Sequence, residues 1–341
     1  MGSITEVFKN DPLHLDSAIP LDFDTLKSVP ESHEWALEPS NHSLDSSKML
    51  PVIDLTHPDA PHLVAHAART WGIFQIVNHG VPLGLMQSVE SEARRLFNLP
   101  TQDKMKVLRS PENLAGYGVA RIAPFYDKCM WHEGFTIHDS CVGHAKILWP
   151  HDYESFCNTM MEFRHKMKPL ADQLLHYLLK SLNIPGELVQ IWAESTDKVS
   201  GTIQLNSYPP CPDPRHVLGL APHTDTLLLT LLNQCQISGL QYFRDDIGWI
   251  SVPPVPGAFV VNVGDTLEIL SNGKFPSAYH RVTVNENKHR ISYAYFHGPS
   301  MDSPAEPLDK AEKPLYRSMT VREYCAIKAK HNEEALGLVK L

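Results

Sequence analysis

Apolar residues recur along the chain in two different rhythms, helical in the first half and strand-like in the second. From Pro61, the residues Leu63, Val64, Ala67 and Ala68 form a stripe at three- and four-residue steps that ends near Gly72, the spacing of one buried helix face. A second helix is predicted over 84–98, closed by Pro100. The longest is predicted over 152–182, where Phe156, Met160, Phe163, Met167, Leu170, Leu174 and Leu178 line up, stopped by Asn183-Ile184-Pro185-Gly186. A Met and Leu stripe of this kind is expected to be core packing. Short strands are predicted at 51–55 and 72–77, the second turned by Asn78-His79-Gly80. After about residue 200, strand-like runs follow at 202–208, 227–233, 239–244, 248–252, 258–263, 279–284 and 290–297. Turns such as Asp245-Asp246-Ile247-Gly248 and Ser271-Asn272-Gly273 punctuate them. This is the pattern of an antiparallel sandwich or barrel. Thr320-Val321-Arg322-Glu323 reads as a capping box that opens a last helix through about 335.

Four regions are expected: an extended arm over 1–50, rich in Pro, Ser, Asp and His; a mixed helix and strand region over 51–195; a β-rich core over 196–300; and a helical tail over 301–341. Trp35 and Leu37 are candidates to anchor the arm. The pair His62 and His66 lies four apart on a helix but lacks the Glu that a metalloprotease needs after its first His, so a solvated pair is expected.

Composition narrows the function. Of 341 residues, 43% are hydrophobic and 20% charged, values that allow a sizeable core. Net charge is −9 and the pI about 6.1, which argues against a nucleic-acid partner, since phosphate neutralisation needs a basic face. The start MGSITEVFKN carries no secretory pattern, and position six is Glu6 where a myristoylation signal wants Ser or Thr. No apolar run reaches the roughly 18 residues of a membrane span. A cytoplasmic protein with six reduced, scattered cysteines is expected, with the Asn41-His42-Ser43 sequon idle. Oligomeric state is left open, a monomer being expected.

The chemistry-bearing residues cluster in the strand-rich half. In His223-Thr224-Asp225, an imidazole and a carboxylate two apart on an extended segment share one face. His280 lies in Ala278-Tyr279-His280-Arg281-Val282, with Val282 and Val284 at the same parity, so it is expected to point inward. Two His and one carboxylate on one side of a metal leave open positions, as Fe(II) needs to bind a cosubstrate and dioxygen together. Ten residues on, Arg290 and Ser292 share a strand face and make a carboxylate clamp whose planar fork lysine cannot copy. Asn206 and Tyr208 share another, ended by Pro209-Pro210. A zinc hydrolase built on the same His-Asp-His set leaves the clamp without a role. An inactive ligand-binding module of the same fold is a further alternative, disfavoured because every ligand and the clamp are present.

Asn206-x-Tyr208-Pro-Pro-Cys-Pro, His223-x-Asp225, His280 and Arg290-x-Ser292 resemble, residue by residue, the plant Fe(II)/2-oxoglutarate-dependent dioxygenases. So do Trp71 to Gly80, Val263-Gly264-Asp265 and Leu270-Ser271-Asn272-Gly273; the resemblance spans roughly 50–335. It implies a mainly β fold with supporting helices around a double-stranded β-helix (jelly-roll, cupin-like) core. It implies Fe(II) on His223, Asp225 and His280, and 2-oxoglutarate on Arg290, Ser292, Tyr208 and Asn206. Dioxygen is the co-reactant and ascorbate the reductant, with succinate and carbon dioxide as products.

The stretches Gly116 to Phe125 and Met130 to Ile137 are similar to those of gibberellin 3-oxidases, as are the opening residues (Val7-Phe8, Pro12 to Leu15, Ser32 to Trp35). The implied substrate is a nineteen-carbon gibberellin, a diterpenoid acid, hydroxylated at carbon 3 on the β face. Such a ligand wants an apolar pocket and a cation. Phe125, Met130, Trp131 and Phe135 are the candidate walls, and Arg121 or Lys128 the candidate cation. His132, where that pattern often has Ser, and Glu268 depart from it. Oxidation at the 2- or 20-position, or of a flavonoid, therefore stays open.

Overall fold

The computed structural model describes residues 21–23, 26–36, 49–110, 114–182, 184–197 and 201–341. Leu37, the Asn41 sequon, Asn183 and the opening motifs before residue 21 lie outside them.

In chain order, β1 (Val52–Asp54), helix α1 (Ala60–Trp71), β2 (Ile73–Val77) and helix α2 (Leu83–Phe97) come first. Then follow β3 (Gly116–Gly118), β4 (Glu133–Ile137) and the long helix α3 (Tyr153–Lys180). The β-rich part comprises β5 (Thr202–Tyr208), β6 (Leu218–His223), β7 (Leu229–Asn233), β8 (Leu240–Arg244), β9 (Gly248–Ser251) and β10 (Phe259–Val263). After the short helix α4 (Asp265–Leu270) come β11 (His280–Thr283) and β12 (Arg290–His297). Helix α5 (Val321–His331) lies in the tail, and its Thr320–Glu323 capping box is present.

Eight strands form the major sheet in the order β1-β2-β10-β7-β12-β5-β4-β3, and four form the minor sheet, β6-β11-β8-β9. From β5 to β12 the chain alternates between them: β5, β7, β10 and β12 lie in the major sheet, β6, β8, β9 and β11 in the minor. That alternation is the jelly-roll winding. The pairings are antiparallel except β1 with β2. The major sheet draws β1 to β4 from before residue 195, so it runs across the boundary expected there.

Strand alternation divides the labour of the major sheet. On β5, Ile203 and Leu205 face the helices, while Thr202, Gln204, Asn206 and Tyr208 face the minor sheet. On β12, Ile291, Tyr293 and Tyr295 join the helix side, while Arg290, Ser292, Ala294 and Phe296 face inward. The stripe of α3 meets the helix-side residues: Phe163 stands edge-on to Tyr293, ring centroids 5.3 Å apart, and the Tyr293 hydroxyl donates to the Met86 carbonyl of α2 at 3.0 Å. With Phe156, Met160, Met167, Leu170, Leu174 and Leu178 all buried at about 1.5–3 kcal/mol each, this layer anchors the sheet whose other face carries the chemistry. His62 and His66 remain exposed. Among the described residues, no helix is long and apolar enough to cross a membrane.

Candidate active site

Between the two sheets lies a cavity of about 240 Å³, lined from both. His223 closes β6 and His280 opens β11, and the two are direct cross-strand partners, ring centroids 4.2 Å apart. Asp225 lies beyond the end of β6, so the turn after the strand, not strand parity, brings its carboxylate round. The His223 Nε2 to Asp225 Oδ1 distance is 3.8 Å. One ligand atom from each of His223, Asp225 and His280 falls within 4.8 Å of the others, and all three residues are buried.

Each imidazole is oriented by its own backbone. The His223 Nδ1–H donates to the Ala221 carbonyl at 2.8 Å and the His280 Nδ1–H to the Ala278 carbonyl at 3.0 Å. Carbonyls only accept, so both protons sit on Nδ1 and both Nε2 lone pairs are free for a metal. Burial, then the neighbouring His280, pushes the His223 imidazole down to about 3, so it is neutral, as a ligand must be. Burial raises the Asp225 carboxyl, but His280, His223 and the nearby Thr230 and Asn262 outweigh it and hold it below the ordinary carboxylate range. Asp225 Oδ2 and Asn262 Oδ1 are buried without a hydrogen-bond partner of normal geometry. An orphaned carboxylate oxygen beside two free imidazole nitrogens fits a two-His, one-carboxylate site for Fe(II).

The turn that carries Asp225 is fixed from below. A Cβ on Gly264 would lie 2.2 Å from the Leu227 carbonyl oxygen, so only glycine lets α4 approach. The Asp265 N–H then donates to the Asp225 carbonyl at 2.8 Å. The fully buried Asp265 carboxylate pairs with Lys328 at 2.8 Å and accepts from Tyr324 and Ser277, both at 2.7 Å. Lys328 also donates to Thr224 Oγ1 at 2.6 Å. Glu268 accepts from the Ser277 N–H and the Tyr316 hydroxyl, both at 2.6 Å, tying α4 to the tail.

Arg290, 1% exposed, stands directly opposite Tyr208, and Ser292 opposite Asn206. Arg290 Nε donates to the Ile237 carbonyl at 3.0 Å and Nη1 lies 3.4 Å from Ser292 Oγ, while its Cζ sits 4.9 Å from the Tyr208 ring centroid. Burial lowers the guanidinium's pKa. Asn206 Oδ1 accepts from His132 Nε2 at 3.0 Å, leaving His132 Nδ1 buried and unpartnered at the cavity wall.

The proposed substrate residues separate. Arg121 and Phe125 line the cavity. Phe135, paired with Leu205, faces the helices and stands edge-on to Phe156 at 6.0 Å, because it alternates with the inward positions Gly134 and Thr136. Trp131 lies under Phe23 and His33 and donates to the Pro209 carbonyl at 3.1 Å. Met130 packs against Ala120 and Ala221 behind the wall. Lys128 donates to the Glu31 carbonyl at 2.9 Å and borders a separate surface hollow. Sequence reasoning missed Arg109, and missed Cys325, Lys328, Ala329 and Asn332, by which α5 and the turn after it complete the cavity.

Residues 200–299 match the family model of the 2OG-Fe(II) oxygenase superfamily, and residues 50–154 that of the non-haem dioxygenase in morphine synthesis N-terminal region. The chain is 44% identical over 355 residues to Gibberellin 3-beta-dioxygenase 1 of Pisum sativum, spanning 100% of this chain and 94% of that one. The chain belongs to the Fe(II)- and 2-oxoglutarate-dependent oxygenases. The oxygenase is likewise 44% identical over 352 residues to Gibberellin 3-beta-dioxygenase 1 of Arabidopsis thaliana, covering 99% of one and 98% of the other. Among solved structures, the oxygenase resembles JOX2 in complex with 2OG, Fe and JA, with a TM-score of 0.79 and 30% identity over 93% of this chain and 95% of that one. A dioxygenase for auxin oxidation from rice shares the fold, with a TM-score of 0.69 over 86% of this chain and all of that one.

Proposed function

We propose that this oxygenase hydroxylates nineteen-carbon gibberellins at carbon 3 on the β face. His223, Asp225 and His280 hold Fe(II); Arg290 and Ser292, with Tyr208 and Asn206 beside them, take 2-oxoglutarate. The full-length 44% identity to gibberellin 3-beta-dioxygenases from two plants carries the reading. Bound there, Fe(II) supplies dioxygen activation: one oxygen atom enters the substrate C–H bond as hydroxyl, the other enters succinate, and 2-oxoglutarate loses carbon dioxide. The protein's own part is positional. Its two imidazoles present lone pairs, its carboxylate completes a facial set, and the clamp holds the far carboxylate of the cosubstrate. Apolar walls from Ile122, Phe125, Leu220 and Leu240 exclude water. Ascorbate as external reductant, a cytoplasmic location and a monomeric unit complete the proposal.

The test is incubation of Fe(II)-loaded protein in air with 2-oxoglutarate, ascorbate and a nineteen-carbon gibberellin precursor, with products identified by mass spectrometry. A 3β-hydroxylated product matched mole for mole by succinate, and lost in His223→Ala, is expected. Oxidation at the 2- or 20-position would move the assignment to another gibberellin oxidase. Turnover of flavonoids alone would overturn it.

A further inference from the structure

The inward face of β5 carries positive charge at both of its ends. Arg290 sits opposite Tyr208 at one end. At the other, Arg109 Nη1 lies 3.4 Å from Thr136 Oγ1, on the residue paired with Gln204. Arg121 Nη2 donates to His138 Nε2 at 3.1 Å. Arginine can only donate, so the His138 proton sits on Nδ1 and goes to Thr202 Oγ1 at 2.9 Å. Gln204 and Thr202 stand four and six residues from Tyr208, about 13–20 Å at the usual rise per strand residue. That is far more than a five-carbon diacid spans, so one cosubstrate cannot meet both ends.

Arg109 and Arg121 both line the cavity, yet no carboxylate pairs with either among the described residues. Their partners are the Val119 carbonyl, Thr136 and His138, all neutral. A buried charge without a counter-charge costs several kcal/mol, and here two guanidinium groups share one wall. Each has five donors and uses at most two. Room for Arg109 is kept by Gly118, where a Cβ would come within 2.8 Å of its Nε. Between the cationic ends the wall is apolar, from Ala120, Ile122, Phe125 and Leu220.

We propose that Arg109 and Arg121 together form the subsite for the carboxylate of an apolar acid substrate, at the end of the cavity opposite Arg290. For the gibberellin acid this rests on the function proposed above. Burial lowers both arginines, Arg109 to about 9 with Arg121 adding repulsion, and Arg121 to about 10; an incoming carboxylate relieves both.

The test compares kcat/KM of the Fe(II)- and 2-oxoglutarate-loaded full chain for a gibberellin free acid and its methyl ester, in wild type, Arg109→Gln and Arg121→Gln. Wild type is expected to prefer the acid by about 10- to 100-fold, the worth of charge-assisted hydrogen bonds. Each variant is expected to lose most of that preference through KM for the acid. KM for 2-oxoglutarate should stay near wild type, and the thermal midpoint should hold or rise, since each variant removes a charge that has no counter-charge. Equal use of acid and ester by wild type overturns the subsite, even if neither variant folds. So does an undiminished preference in folded variants. If wild type neither binds nor oxidises acid or ester, the gibberellin reading fails on its own. The arginines are then judged with 1-anilinonaphthalene-8-sulfonate: binding lost in both variants sustains an apolar-anion subsite, and unchanged binding overturns it.

Discussion

Arg290 shows how much one side chain's shape can matter. Its Nε is spent on the Ile237 carbonyl and its plane lies near the Tyr208 ring, leaving the far edge of the fork toward Ser292. Lysine would keep the charge and lose the fork. Arg290→Lys is therefore expected to raise KM for 2-oxoglutarate by about 10- to 100-fold, the loss of one charge-assisted pair. KM for the gibberellin should change little. Succinate release against cosubstrate concentration checks this, and an unchanged KM would remove Arg290 from the clamp. Residues with a chemical signature in a short motif, such as this arginine and the three candidate ligands, are legible in the amino-acid sequence alone. The substrate wall is not. Met130 to Phe135 reads as one aromatic run, but its residues diverge: Phe135 turns to the helices, Trp131 to the arm, and His132 to the cavity. Every residue of β4 is buried, so burial says nothing about which face is which.

Among elements, α4 and α5 act as one support for the turn carrying Asp225. Gly264→Ala would drive a methyl into the Leu227 carbonyl oxygen, 2.2 Å from the Cβ position, and the backbone there cannot swing aside as a side chain can. The variant is expected to lower both the thermal midpoint and the iron stoichiometry, measured by metal analysis after dialysis. Normal values of both would show that the turn has slack. Asp265→Asn leaves Lys328 buried without its counter-charge, and a cost of about 3–5 kcal/mol is expected, read as a shifted denaturant midpoint at constant slope. The Val263-Gly264-Asp265 motif is visible in the sequence, but not its reason. Its partners Lys328 and Tyr324 lie about sixty residues on, in a helix whose start is legible from the Thr320–Glu323 capping box. Nothing in the local pattern says that this helix lines the cavity.

For the molecule as a whole, the density of short runs after residue 200 foreshadows the alternation of strands between two sheets. Runs 202–208 and 290–297 match β5 and β12 residue for residue. Pairing between distant strands is beyond local pattern, and so is the joining of β1 to β4 to the same sheet. Tight burial also sets an acid limit. Burial above all holds His132 down to about 4 and His138 down to about 3. In the unfolded chain both titrate near 6.5, so below that pH the unfolded state binds protons that the native state refuses. Their effect on stability is thus nil above about pH 7. It becomes a loss as pH falls from about 6.5 toward 4, on the order of 1.4 kcal/mol per pH unit for each histidine. Denaturant unfolding between pH 4 and 8 should show that decline, with a shallower one in His138→Gln. Identical slopes would mean that His138 is protonated in the native state.

The cross-strand partnership of His223 with His280 makes the metal a proofreader of folding. If β11 slipped against β6 by a single residue, the same strands would still pair, but His280 would be carried to the opposite face together with Val282. On the proposed ligation, such a misthreaded molecule would pass tests of compactness and fail to charge with iron. Iron per chain in a refolded sample therefore counts the correctly threaded fraction, a census that light scattering and far-ultraviolet dichroism cannot take.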